Sequence, residues 1–392
     1  MVNKNIVFLI NSFWIYSSKG ASGGDEFVFQ YIENTRFKFN KIYIICSSGA
    51  KKFAQQRLKN KKKIEWIITP VYFDFFPFYI SYFFRTAYVM IYFLFSGSKF
   101  NYIYSSSDFF PDVYPSSFNG LLNPKSTWIQ VIHHLYPKWR NRPGNILYSF
   151  FGFYLQKISL NLIQKCHKII CVNTDLYSLF VKKYKTQKIT VVNGGIDLEK
   201  IHKIKKEINY KKLKKKYTAV YLGRLKPSKG IFDLPKIWKY VIKDHPNSKL
   251  ILIGEGSSKD KNKLKQLISK EKLKKLIIIK GFLNYKEIVK IFYQSEVFIL
   301  PSREEGFGMA ILEALSCNLK VVVWDMKVFT SVYKDLVLKS KCFDLRDFSK
   351  KILKSLKFKE NKNKIKEINN IKIRYSLKTQ VNKIDNFMSN KI

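Results

Sequence analysis

Arginine is scarce in this 392-residue chain. Only nine of its 72 basic residues are arginine, against 28 acidic residues, and the formal charge is +44. Such a charge ordinarily points to nucleic acid. Here lysine, isoleucine and asparagine are abundant together, a pattern that fits a composition-biased genome at least as well as a nucleic-acid footprint. The charge is also spread out: residues 1–200 hold 26 Lys/Arg and 10 Asp/Glu, and the remainder hold 46 and 18. No recognised nucleic-acid-binding module accompanies it, so nucleic acid is not an expected partner. A basic, non-catalytic protein binding nucleic acid or anionic membrane stands as the alternative reading.

Cysteine is sparse as well. Cys46, Cys166, Cys171, Cys317 and Cys342 are odd in number, lack C-x-x-C spacing and mostly adjoin apolar runs. That excludes a disulfide framework and a zinc knuckle, and predicts reduced thiols in a cytoplasmic protein. The apolar run Ile6–Ile10, before Asn11, is too short for a signal-peptide core and reads as a first strand. Long uncharged stretches are missing too. Residues 71–100 are crowded with phenylalanine and tyrosine, yet Asp74 and Arg85 divide them into uncharged runs of about ten and thirteen residues. A membrane span needs roughly eighteen. Two readings remain open: a buried helix between strands, or an interfacial helix whose aromatic face enters lipid beside Lys51, Lys52, Lys59, Lys61, Lys62 and Lys63. The second places the protein at the inner face of the plasma membrane without spanning it.

What the chain does have is alternation. Residues 4–10, 41–46, 64–68, 101–105, 127–132 and 168–172 read as short strands separated by helix-length segments. A second series covers 218–222, 249–253, 276–279, 296–300 and 320–324. This predicts an α/β fold with mostly parallel sheets covered on both faces. The sequence Asn193-Gly194-Gly195-Ile196-Asp197 and the lysine-rich stretch to Lys216 separate the two series. The expected division is 1–192, a linker at 193–217, a second domain at 218–370 and a closing helix at 371–392: two facing Rossmann-like doubly wound domains.

The segment Val297–Trp324 reads as a buried strand, a glycine-punctuated turn and a helix. Gly306 and Gly308 bracket Phe307 at the helix start, where free amides and the helix dipole favour phosphate oxygens. Glu305 lies in the turn and Glu313 in the helix, both near the carboxyl end of the strand, where open α/β sheets bind ligands. After the first strand of the second series comes Gly223-Arg224-Leu225-Lys226-Pro227-Ser228-Lys229-Gly230, with a helix expected from Ile231. Two cations in such a turn suit a bound polyanion such as a diphosphate. In the first series Val131-Ile132-His133-His134-Leu135-Tyr136-Pro137 closes a strand, and Gly23-Gly24 follows the first one.

The string E-G-F-G-x-x-x-L-E-A after Pro301-Ser302, with G-R-L-x-x-x-K-G and V-I-H-H-L-Y-P, resembles retaining glycosyltransferases of family 4, which have the GT-B architecture. The resemblance covers essentially the whole chain. It departs at Cys317-Asn318-Leu319-Lys320, where the family usually has C-G-x-P, and at His134, where it has aspartate. It implies a nucleotide-diphosphate sugar as co-substrate, no cofactor, no metal, and transfer of a hexose-type sugar to a surface glycan or lipid-linked acceptor. It also implies roles. Arg224 and Lys229, beside Gly223, bind the donor diphosphate. Glu305 positions the sugar, and Glu313 accepts from the ribose hydroxyls. Backbone near Gly254 and Phe282 cradles the base, while Gly306, Phe307 and Gly308 form the donor turn. His133 contacts the transferred sugar, and Gly23 and Gly24 form a glycine-rich loop near the donor phosphates.

Two competing patterns are weaker. Gly23-Gly24-Asp25-Glu26-Phe27 spells the G-G-D-E-F of diguanylate cyclases, but a helical pattern rather than a hairpin follows it. Another two-domain nucleotide-sugar enzyme, such as an epimerase, would leave Arg224, Lys229, Glu305 and Glu313 together without a use.

Overall fold

A computed structural model describes residues 4–13, 23–58, 64–96, 99–142, 145–357 and 362–390. The chain forms two compact units, residues 1–193 with 380–392, and residues 194–379. Ser22, Lys59, Lys61, Lys62 and Lys63 lie outside the described residues.

The first unit runs β1 (Ile6–Ile10), α1 (Gly23–Asn34), β2 (Ile42–Ser47), α2 (Ser48–Gln55), β3 (Ile64–Thr69), α3 (Phe78–Ser96), β4 (Tyr102–Ser105), α4 (Phe110–Leu122), β5 (Thr127–Ile132), α5 (Ile146–Leu162), β6 (Lys168–Cys171), α6 (Thr174–Phe180) and β7 (Ile189–Val191). Its sheet is ordered β3-β2-β1-β4-β5-β6-β7, and its pairings are parallel. β1 is flanked by β2 and β4, with Ile6 opposite both Ile42 and Tyr102. Every residue of β1 is apolar and buried, as a strand covered on both faces requires. The edge strand β3 (Ile-Glu-Trp-Ile-Ile-Thr) is mostly half-buried instead.

The second unit runs α7 (Leu198–Glu207), β8 (Tyr217–Leu222), α8 (Leu234–Asp244), β9 (Leu250–Ile253), α9 (Ser258–Lys270), β10 (Ile277–Gly281), α10 (Tyr285–Tyr293), β11 (Ser295–Leu300), α11 (Met309–Ser316), β12 (Lys320–Trp324), α12 (Lys327–Tyr333), β13 (Leu338–Ser340), α13 (Leu345–Lys357) and α14 (Lys362–Arg374). Its sheet is ordered β10-β9-β8-β11-β12-β13, also parallel. Both sheets therefore reverse their winding beside one central strand, β1 in the first unit and β8 in the second. That is where doubly wound sheets open a crevice for ligand.

A last helix, α15 (Leu377–Ser389), belongs to the first unit from Gln380 onward. There Asp385 accepts from the Tyr31 and Thr35 hydroxyls at 3.0 and 2.6 Å. The buried Lys168 ammonium donates to the carbonyls of Met388 and Asn390 near the helix end, meeting acceptors that a helix terminus leaves open.

Several sequence expectations need correction. Part of the expected linker, residues 198–207, is helix α7, capped by the Asp197 side chain accepting from the Lys200 amide. The helix after the Gly223–Gly230 turn begins at Leu234 rather than Ile231, because the left-handed Gly230 is followed by a further turn. Gly23 and Gly24 open helix α1 rather than forming a loop. Asp74 sits in a turn, Val71–Phe75, ahead of the long helix α3, and pairs with Arg85, which lies inside that helix. α3 is thus a 19-residue apolar helix, and residues 146–165 form a second of 20; both are long and apolar enough to cross a membrane by length and composition.

Candidate active site

In the second unit the loops after the adjacent strands β8 and β11 are bound to each other. Gly230 has φ +71°, and a Cβ there would stand 1.8 Å from the Pro301 carbonyl oxygen, so only glycine lets the loops meet. The Ser228 carbonyl accepts from the Arg303 amide at 2.9 Å. The Lys229 ammonium donates to the Glu304 carbonyl at 2.9 Å and to Glu305 Oε1 at 2.5 Å. The two side chains of this ion pair are only 15% and 14% exposed, so water screens it poorly.

Two buried phenols hold these loops from beneath. Tyr221, in β8, donates to the Arg224 carbonyl at 3.0 Å. Tyr333, ending α12, donates to the Gly308 carbonyl at 3.0 Å. Burial pushes both hydroxyls well above their ordinary pKa, so they remain donors. Gly308, left-handed at φ +85°, turns the chain into α11, whose first amides lack intrahelical acceptors. Glu313 lies half-buried in α11.

At the neighbouring strand ends, the Gly254 amide donates to the Gly281 carbonyl at 2.8 Å. The Phe282 ring is exposed, and its amide donates to Glu255 Oε1 at 3.3 Å. A hydrogen bond from Lys261 holds the Glu255 carboxyl below its ordinary range. The structure thus places Gly223, Arg224, Lys229, Gly254, Phe282, Glu305, Gly306, Gly308 and Glu313 in or beside the loops at the carboxyl edge of one sheet. Phe307 differs. Its ring is buried against Tyr333 and Tyr375, with centroids 5.8 and 5.1 Å apart, so only its backbone is available to a ligand.

In the first unit His133 follows β5. Its amide donates to Asp108 Oδ1 at 3.1 Å, and its Nε2 lies 2.8 Å from the Ser106 carbonyl. A carbonyl only accepts, so Nε2 carries a proton. The ring lies over Gly24, where a Cβ would stand 3.1 Å from Nε2. Gly24 therefore makes room for the histidine from the first turn of α1. The G-G-D-E-F letters belong to this helix, with Glu26 paired to Arg57 at 3.3 Å and Phe27 buried, and not to a hairpin.

Sequence reasoning missed the groups that hold this loop. Asp108 is buried, and burial raises its carboxyl above the ordinary range despite the nearby His133. Gln156, buried on α5, donates to Asp108 Oδ2 and, at 2.9 Å, to the His134 carbonyl; it accepts from the Tyr136 amide at 2.8 Å. Asp112 ties the end of β1 to the end of β4. It accepts from the Asn11 amide at 2.8 Å and the Ser12 and Ser107 hydroxyls at 2.8 and 2.6 Å. Burial pushes its carboxyl up to about 6. The only sequence signal was a polar run, Ser105-Ser106-Ser107-Asp108, at a strand end. Four cysteines are buried and Cys342 is exposed, all free. Among the described residues no group of three His, Cys, Asp or Glu side chains could hold a metal ion.

The two doubly wound parallel sheets and the structural neighbours define the GT-B fold. Over 98% of its length the chain resembles HepE of Anabaena in complex with UDP-glucose (TM-score 0.70, 15% identity, 99% of that chain). It also resembles sucrose-phosphate synthase of Thermosynechococcus elongatus (TM-score 0.74, 13% identity, 98% of both chains). At these identities the likeness is one of fold. Residues 203–371, all in the second unit, match the family model "Glycosyl transferases group 1". Similar curated proteins include the alpha-monoglucosyldiacylglycerol synthase of Acholeplasma laidlawii, 26% identical over 46% of either chain. The UDP-Gal:alpha-D-GlcNAc-diphosphoundecaprenol alpha-1,3-galactosyltransferase of Escherichia coli is 32% identical over 40% of this chain and 42% of its own. The chain spans just under half the length of these two relatives.

Proposed function

We propose that the protein is a retaining, metal-independent glycosyltransferase of family 4, moving a hexose-type sugar from a nucleotide-diphosphate donor to a lipid-linked or glycolipid acceptor at the inner face of a membrane. The observation that carries this reading is the joined pair of loops at the switch point of the second unit, with Lys229 of the β8 loop bonded to the Glu304 carbonyl and to Glu305 of the β11 loop. Arg224 and Lys229 stabilise the departing diphosphate, where charge grows along the reaction. Glu305 orients the sugar and stabilises charge at the reacting carbon. Glu313 accepts from the ribose hydroxyls, a charge-assisted contact that fixes the nucleotide. His133 of the first unit takes the sugar-contacting role, with a proton fixed on Nε2 by Ser106. Retention follows from the family resemblance, with departure and attack on one face of the sugar. The names of two relatives, a monoglucosyldiacylglycerol synthase and a galactosyltransferase named for GlcNAc-diphosphoundecaprenol, support a lipid acceptor.

The test is transfer from labelled UDP- and GDP-sugars to a bacterial lipid extract, with and without chelator, and with the anomeric configuration of the product determined. Transfer with retention that survives chelator is the expected result. No transfer from any donor, together with no thermal stabilisation by UDP or GDP, would overturn the reading. A non-catalytic basic protein would account for the charge and leave the two joined loops without a use.

A further inference from the structure

Helix α5 is built inside out. The residues it buries are Ser149, Gly152, Gln156 and Ser159. Its apolar residues face outward, with Ile146 and Leu147 61% and 62% exposed and Phe150, Phe151, Tyr154 and Ile158 also exposed. A helix on a water-facing surface carries the opposite arrangement. The inward polar stripe has a use, since Gln156 holds Asp108 and the His133–Tyr136 loop. Among the described residues the outward stripe meets only a few rings at its edges, Phe78 and Tyr79 of α3 and Trp139, and stays largely exposed.

The same surface continues onto α3. That helix buries Ser81, Tyr82, Arg85, Thr86, Val89 and Phe93 and exposes Phe83, Ile91, Leu94 and Phe95, the last by 86%. Rings join the two helices: Tyr148 meets Phe78 at 5.1 Å and Phe151 stacks on Tyr79 at 5.6 Å. Together they form an exposed apolar area of the kind that marks an interaction surface. Its charge selects the partner. Residues 71–165 contain three acids; Asp74 is paired with Arg85, and Asp108 and Asp112 are buried. Lys138, Arg140 and Lys157 are exposed beside the aromatic residues, and Trp139 packs on Phe150 at 5.4 Å. Rings flanked by cations, with no opposing free carboxylate, suit an anionic lipid surface. Neither helix is free to cross the bilayer within this fold, because Arg85 donates to the Asn11 and Phe13 carbonyls and Gln156 is committed to its loop.

We propose that the combined α3 and α5 face docks in-plane on an anionic lipid bilayer, with α5 holding the His133–Tyr136 loop at a fixed height above it. The docking surface needs no catalysis. Only its meaning for delivery of a lipid-anchored acceptor rests on the glycosyltransferase reading.

Flotation with vesicles of phosphatidylcholine, with and without phosphatidylglycerol, tests it in the absence of nucleotide or acceptor. The full chain should float with phosphatidylglycerol vesicles and release partly at high salt. The triple variant Phe150→Ser, Phe151→Ser, Tyr154→Ser should float at least tenfold less while keeping its circular dichroism and urea midpoint. The Trp139 fluorescence quenched by brominated lipid tails should be absent in Trp139→Phe. Equal flotation of wild type and triple variant, or none of the wild type, overturns the proposal. So does concentration-dependent self-association, seen by sedimentation and abolished by the triple variant, because a second copy would then cover the face. Sugar transfer is scored separately, so either reading can fail alone.

Discussion

Replacing Glu305 by glutamine should tighten the binding of a nucleoside diphosphate while slowing sugar transfer. The Lys229 ammonium lies 2.5 Å from Glu305 Oε1, and each side chain is about 15% exposed. At an effective dielectric of 20 the bare attraction across that distance is about 7 kcal/mol, much of it offset by the cost of burying both charges. A phosphate oxygen bonded to Lys229 would lie roughly 5 Å from the carboxylate, and repulsion at that range costs ~1–3 kcal/mol. Glutamine keeps the shape and an acceptor oxygen but removes the repulsion, so UDP or GDP should bind about tenfold tighter, equivalent to ~1.4 kcal/mol. Transfer should fall at least tenfold, because charge stabilisation at the reacting carbon is lost. Lys229→Ala should do the reverse to binding and strand a poorly hydrated carboxylate, costing ~3 kcal/mol of stability. Titration calorimetry with UDP and GDP at physiological salt, alongside steady-state kinetics, reads each quantity. Weaker diphosphate binding by Glu305→Gln, or unchanged binding by Lys229→Ala, would refute this account of the pair.

Arg224→Ala should lower turnover by about one to three orders of magnitude while chelator leaves the wild type unaffected; full turnover in the variant would remove Arg224 from the leaving-group site. Glu313→Ala should chiefly raise the donor KM and leave kcat within about twofold, because ribose contacts are equal in ground and transition states; a fall in kcat alone would sink that assignment. Asp112 titrates at about 6 when folded, above its ordinary value near 3.9. The folded state therefore binds the extra proton between those values, and the contribution to stability falls as pH rises from about 4 to about 6, by on the order of 3 kcal/mol. Asp112→Asn should accordingly be more stable than wild type at pH 7.5 in urea unfolding, with the advantage vanishing near pH 4; an advantage that grows on acidification would show the sign to be wrong.

The central strands were legible because parallel strands covered on both faces are continuous apolar runs, as in Ile6–Ile10 and Val321–Val323. The edge strands β7 and β13 were not, being three residues long and partly half-buried. The donor loops could be read from glycines and charges at strand ends. What could not be read was their joining: Lys229 and Glu305 are 76 residues apart, and only the adjacency of β8 and β11 brings them together. Phe307 shows the converse. A residue between two motif glycines looks like part of a ligand turn, yet its ring fills the core against Tyr333 and Tyr375.

Helix α5 marks a deeper limit of periodicity. Its sequence separates one apolar stripe from one small and polar stripe, and the usual argument turns the apolar stripe inward. Here the inward stripe is set by what it must hold. Gln156 can satisfy Asp108, the His134 carbonyl and the Tyr136 amide only from inside. Gly152 accommodates the Tyr136 ring, which a Cβ there would approach to 3.2 Å. With the His133 loop fixed this way, Ile146, Leu147, Phe150 and Phe151 are left outside. Their exposure is a cost to the isolated chain that an apolar partner would relieve. Periodicity therefore identifies the two faces, while the demands of the neighbouring loop decide which one meets the solvent and, by that choice, where the protein would meet lipid.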